Sequence, residues 1–129
     1  MSVNWSWERA VESIPVLLGG FRITLLATVA GFLIAAVLGL LVAVVRRSAP
    51  GIVTVPLRMV TEFIRLTPLV VQLLFAYFLL PQFSALQIGI VVLGIHYATY
   101  MAEVYRAGIG AVPRGQWEAA RALSLPAGR

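Results

Sequence analysis

Residues 23–45, ITLLATVAGFLIAAVLGLLVAVV, contain no Arg, Lys, Asp, Glu or His. As a helix this run would be about 35 Å long, enough to cross a hydrocarbon core of about 30 Å with some tilt. Arg46 and Arg47 close it, and Ser48-Ala49-Pro50-Gly51 stops the chain from continuing in the same direction. One segment thus decides the class: this is a membrane protein.

The composition agrees. Of the 129 residues, 60% are hydrophobic and 12% charged, whereas a soluble chain keeps roughly a quarter of its residues charged. Too little polar surface remains to face water on all sides. Every cation is Arg and every acid is Glu; Lys, Asp and Cys do not occur. That excludes disulfides and thiolate metal sites, a phosphate loop with its lysine, and metal chemistry built on Asp-rich motifs. No metal site, cofactor or catalytic residue is expected. The arginines are scattered between apolar blocks, so no basic helix face exists to track nucleic acid.

From Leu66 to Ala102 the only group that titrates near neutral pH is His96. That stretch is too long for one crossing and is punctuated by Pro81-Gln82-Phe83-Ser84. The expected fold is all-α and polytopic in one membrane domain. Its spans run from Ile23 to Val45, Val60 to Leu80 and Leu86 to Tyr105, and a short helix follows from Gln116 to Ser124. Arg46, Arg47 and Arg58 fall between spans one and two, and Arg106, Arg114, Arg121 and Arg129 follow span three. Positive charge collects inside, so the N-terminus is expected outside and the C-terminus in the cytoplasm. Trp5 and Trp7 are either headgroup anchors or chance aromatics of a frayed terminus. The uncharged run is too long for the apolar core of a cleaved signal peptide.

Small residues recur at every fourth position of span one: Ala27, Gly31, Ala35, Gly39 and Ala43. Residues four apart share a helix face, and such a groove lets membrane helices approach closely. Gly94, Ala98 and Ala102 form a shorter version in span three. Three acids each have an arginine three residues on: Glu62 with Arg65, Glu103 with Arg106, and Glu118 with Arg121. Each pair can neutralise itself on one helix face, and serves either to ease a span end into the interface or to line a path or gate. His96, at membrane depth beside Tyr97, Thr99 and Tyr100, is either a functional group or an imidazole bonded to a neighbouring helix. No nucleophile-elbow pattern accompanies it.

The segment from Val112 to Pro126 reads as a break, a helix and a stop. Pro113 and Gly115 interrupt span three, Gln116 to Ser124 are helix-forming with Glu118 near the positive end of the dipole, and Pro126 ends the run. Such a helix suits either docking in another protein's groove or resting on lipid.

Three stretches resemble one family in register. Gly115-Gln116-Trp117-Glu118-Ala119-Ala120-Arg121-Ala122-Leu123 resembles the EAA loop of ABC importer permeases in the form of the polar amino acid branch. Glu62-Phe63-Ile64-Arg65-Leu66-Thr67-Pro68-Leu69-Val70-Val71-Gln72 is similar to that branch's span-two signature, and Ala102 to Ile109 followed by Val112-Pro113 to its span-three exit.

The resemblance implies a permease subunit of the bacterial inner membrane that carries out no chemistry. Its partners would be ABC ATPase subunits, a second permease subunit and an extracytoplasmic solute-binding protein. Gly115, Gln116, Trp117, Glu118, Ala119, Ala120, Leu123 and Ser124 would couple to the ATPase, and Glu62, Arg65, Thr67, Gln72, His96 and Glu103 would line a substrate path or gate. The stretch Gly94 to Tyr100 resembles the ectoine and hydroxyectoine importers. Relatives carry Gly at the Ser124 position and continue into two further spans, so a fragment of a five-span fold is implied. The rival expectation is a small helical membrane scaffold or accessory subunit, which accounts for the spans but not for three ordered signatures.

Overall fold

The structure is a computed structural model describing residues 6–124. Expectations about Trp5, Pro126 and Arg129 lie outside the described residues. Five helices follow in order: α1 Trp7–Ser48, α2 Gly51–Leu66, α3 Leu69–Leu79, α4 Ala85–Gly110 and α5 Arg114–Ala122. No strand occurs among the described residues.

Helix α1 contains the first expected span and extends well before it. Residues 7–13, WERAVES, supply Glu, Arg and Ala, and Glu8 sits in the first turn where the helix dipole favours an acid. Pro15 lies inside the helix and withholds one N–H from its ladder. Helix α4 encloses the third span and starts from a reciprocal cap. The Ser84 hydroxyl accepts from the Gln87 N–H at 3.3 Å, while the Gln87 side chain accepts from the Ser84 N–H at 2.9 Å.

The core is the seam between α1 and α4. Gly31, Ala35, Gly39 and Ala43 are buried on one side, and Gly94, Ala98 and Ala102 on the other, with Ala27 half-buried at the end of the row. The register can be read from what a side chain would meet. A Cβ at Gly39 would lie 2.6 Å from the Met101 Cβ and 3.0 Å from the Ala98 carbonyl oxygen. One at Gly94 would lie 2.7 Å from the Ile34 Cβ. A Cβ at Gly31 would meet nothing closer than 3.4 Å. Gly31 thus faces Gly94, and Gly39 faces Ala98 to Ala102. The two helices therefore run parallel, and residues 49–84 must carry the chain back along the bundle.

That return is not the single helix expected from Val60 to Leu80. It is split into α2 and α3, which meet at 100°. The proline ring of Pro68 excludes Thr67 from helical geometry, and Thr67 adopts φ −82° and ψ 128°. Outward, Phe32, Leu33 and Val37 on α1 and Phe75 and Phe78 on α3 are exposed, which is the surface expected of a protein whose solvent is lipid.

Helix α4 leads into α5 through Ala111, Val112 and Pro113. Ala111 is still right-handed helical, and its N–H donates to the Ala107 oxygen at 2.9 Å. Pro113, φ −59°, caps α5. The short helix therefore starts at Arg114, two residues before the expected Gln116. Gly115 lies inside it rather than at the break, and Glu118 sits a full turn in, where the dipole acts weakly. The helix ends at Ala122, and Ser124 lies beyond it in the left-handed region at φ 51°.

Candidate functional site

A helix broken inside a membrane leaves backbone carbonyls without partners, and in hydrocarbon each of them costs several kcal/mol. At the α2–α3 break, Gln72 supplies the missing donors. Its side-chain Nε2 donates to the Ile64 oxygen at 2.7 Å and the Thr67 oxygen at 2.8 Å. The Phe63 oxygen accepts from both the Thr67 N–H at 3.0 Å and the Thr67 hydroxyl at 2.8 Å. Gln72 lies on the first turn of α3, so Pro68 makes the break and the residue four positions on repairs it.

The same Nε2 lies 3.1 Å from Nδ1 of His96, which is buried on α4. The two carbonyls already take the two amide hydrogens, so this third contact is a shared one whose direction depends on the imidazole tautomer. The break is thereby tied to α4. The His96 ring meets Tyr97 edge-on at 5.3 Å and lies tilted to Tyr100 at 5.4 Å. Those tyrosines line a cavity of about 460 Å³ with Thr28, Phe32, Leu93 and Met101. The Gln72 Oε1 and the His96 Nε2 have no protein partner among the described residues, and neither atom is sealed off.

The structure divides the expected path residues among three places. Thr67, Gln72 and His96 meet at the break. Glu103 lies elsewhere, at the C-terminal ends of α1 and α4. There Arg46 Nη1 donates to its Oε1 at 2.6 Å and Arg106 Nε to its Oε2 at 2.7 Å. The Arg106 contact is the local pair read from spacing; the Arg46 contact joins two helices 57 residues apart in sequence. Glu62 and Arg65 do not pair as expected. Glu62 instead accepts from Arg58, one turn earlier, at 2.9 Å, because the i, i+4 neighbour on α2 reaches it first. Glu118 and Arg121 form no ion pair among the described residues and are both exposed.

Helix α5 packs on no other helix; its residues are exposed except half-buried Ala120. Trp117, Glu118 and Arg121 border a shallow cleft with Arg47 and Arg114. Gln116, Ala119 and Leu123 are also exposed. Beyond the helix, the Leu123 N–H donates to the Ala119 oxygen and the Ser124 N–H to the Arg121 oxygen, both at 3.0 Å. Ser124 holds the conformation that glycine adopts at least cost, the position at which the sequence departs from the resembled loop.

Comparison with known proteins gives a consistent result. Residues 35–129 match the family described as the binding-protein-dependent transport system inner membrane component. A probable amino-acid ABC transporter permease protein of Sinorhizobium fredii is 46% identical over 124 residues, covering 93% of this chain and 54% of that protein. The arginine transport system permease protein ArtQ of Bacillus subtilis is 36% identical over 132 residues, covering 98% of this chain and 60% of that protein. A crystal structure of an amino acid ABC transporter with histidines superposes with a TM-score of 0.86 at 35% identity, over 99% of this chain and 61% of the other. The chain thus spans between half and two thirds of the length of these relatives.

Proposed function

We infer the function from one premise: this chain belongs to the family of inner membrane components of binding-protein-dependent transport systems. It acts as membrane-spanning permease sequence of an ABC importer for a polar amino acid or a related zwitterion, a class that includes ectoine and hydroxyectoine. The observation that carries this reading is the match of the entire helical frame to an amino acid ABC transporter. The permease sequences similar to it, among them an arginine permease and glutamine and cystine permeases, support the substrate class. The partners are an ATPase pair, a second permease subunit and an external solute-binding protein. The N-terminus lies outside and α5 in the cytoplasm, a reading supported by the arginines at the C-terminal ends of α1 and α4.

In this reading α5 is the coupling element. It packs on no other helix among the described residues, and its small Ala119 and Ala120 allow close approach to a groove. The path runs past the α2–α3 break, where the Gln72 Oε1 and the His96 Nε2 stay open. The test is made in the assembled transporter. Ala120→Trp overpacks a close contact, at a cost of about 1–3 kcal/mol, and Glu118→Lys reverses a charge. Both substitutions abolish co-purification of the ATPase, or uncouple hydrolysis from uptake, without altering membrane insertion. Intact ATPase binding and substrate-stimulated hydrolysis in both variants would reject α5 as the coupling helix and favour a scaffold. Binding of arginine, glutamine, octopine or ectoine by the cognate solute-binding protein settles the substrate; a sugar bound in place of all four refutes the class.

A further inference from the structure

We propose that the cleft between the C-terminal ends of α1 and α4, lined by Arg46, Arg47 and Arg106, binds the phosphate of an anionic membrane lipid. The cleft measures about 220 Å³, and its remaining walls are Ala43 and Ile109. Three guanidinium groups line the cleft, and two of them, Arg46 and Arg106, hold the single carboxylate of Glu103. Both oxygens of that carboxylate are occupied, one by Arg46 and the other by Arg106. The ion pairs orient the two arginines without neutralising the cluster, which keeps an excess of two positive charges. The Nη groups of Arg106 and the whole guanidinium of Arg47 donate to no protein acceptor among the described residues. The Arg46 side chain is only 16% exposed and is matched by Glu103, so the unmatched charge lies on Arg106 and Arg47 at the open mouth of the cleft. Guanidinium donors left open there can take an anion.

The height of the cleft and its shape identify that anion. Arg46 directly follows the uncharged run that ends at Val45, so the guanidinium cluster lies where hydrocarbon gives way to headgroups. Forked N–H donors match the geometry of a phosphate diester. Basic pockets between membrane helices at this level hold acidic headgroups. A soluble phosphate would use the same donors; the height of the cluster, at the end of the uncharged run, is what favours a lipid headgroup. The proposal does not depend on the identity of any transported solute.

The full chain is tested in nanodiscs of phosphatidylcholine doped with phosphatidylglycerol, reading retained lipid by native mass spectrometry. Arg47→Gln and Arg106→Gln each lower phosphatidylglycerol retention by about fivefold, the worth of one arginine beside an anionic headgroup. Arg9→Gln, which removes the same charge at the far end of α1, leaves retention unchanged. Arg47 makes no bond that the fold uses, so its variant remains informative even if Arg106→Gln loosens the helix ends. Equal retention in the wild type and Arg47→Gln overturns the proposal, as does an equal loss in Arg9→Gln. Inorganic phosphate is titrated separately in pure phosphatidylcholine nanodiscs. Saturable binding that Arg47→Gln abolishes, with no preference for phosphatidylglycerol, reassigns the cleft to a soluble anion and overturns the lipid assignment.

Discussion

The α1–α4 seam and the α2–α3 break solve opposite problems in the same solvent. Along the seam every backbone group is satisfied within its own helix, and the difficulty is attraction, because lipid tails compete equally well for apolar side chains. Removing side chains answers it. Gly31, Ala35, Gly39 and Ala43 bring the backbone of one helix against Gly94, Ala98 and Ala102 of the other. At the break the difficulty is the backbone itself, and adding one side chain answers it: Gln72 bonds the Ile64 and Thr67 carbonyls. At Gly39 and Gly94 the seam therefore leaves no room for added atoms, and the break tolerates no removed donor.

The contrast can be broken first at Gly39. An Ala there would place its Cβ 2.6 Å from the Met101 Cβ and against backbone on the same side, so the helices must part. Gly39→Ala is expected to destabilise the bundle by about 3 kcal/mol, the upper end for overpacking, measured as unfolded fraction against denaturing detergent. Next comes Gln72→Leu, which keeps volume and deletes both carbonyl bonds. A loss of about 2 kcal/mol is expected from the orphaned acceptors, with faster hydrogen exchange confined to residues 64–72. His96→Phe sharpens the point. Gln72 has two amide hydrogens, and both remain on the Ile64 and Thr67 carbonyls when the imidazole is lost, so no acceptor is stranded on the α2–α3 side. Its cost is expected to stay under about 1 kcal/mol, with exchange at the break unchanged. The smallest effect belongs to Gly31→Ala, whose Cβ meets nothing closer than 3.4 Å. No measurable loss is expected, and a loss as large as that at Gly39 would mean that space is not what the seam requires.

What the sequence reveals follows the same division. The seam is legible because its signal is a period: small residues four apart name a face whatever lies opposite. The break is legible only in part. Thr67-Pro68 stands in plain view, but an apolar run of the right length reads as one crossing from Val60 to Leu80, since hydrophobicity carries no information about backbone direction. The function of Gln72 depends on that bend and cannot be read before it. The Arg46 bond to Glu103 is beyond sequence altogether, because spacing displays neighbours on a helix and not partners 57 residues apart. At α5, Gly115 reads as a breaker, yet Pro113 is the stronger constraint and the helix begins directly after it.

The three residues between α4 and α5 have a mechanical consequence. Ala111 still belongs to the hydrogen-bonded end of α4, and the Pro113 ring locks one of the remaining torsions. Little is left that can swivel. In the proposed coupling role, a push on α5 would pass into α4 rather than be absorbed at the joint. The seam at Gly39 has no clearance for one helix to slip past the other, so α1 must turn with α4 as the second half of one stiff lever. Across the molecule, at the 100° bend, the Gln72 amide bonds the end of α2 and approaches His96 of α4.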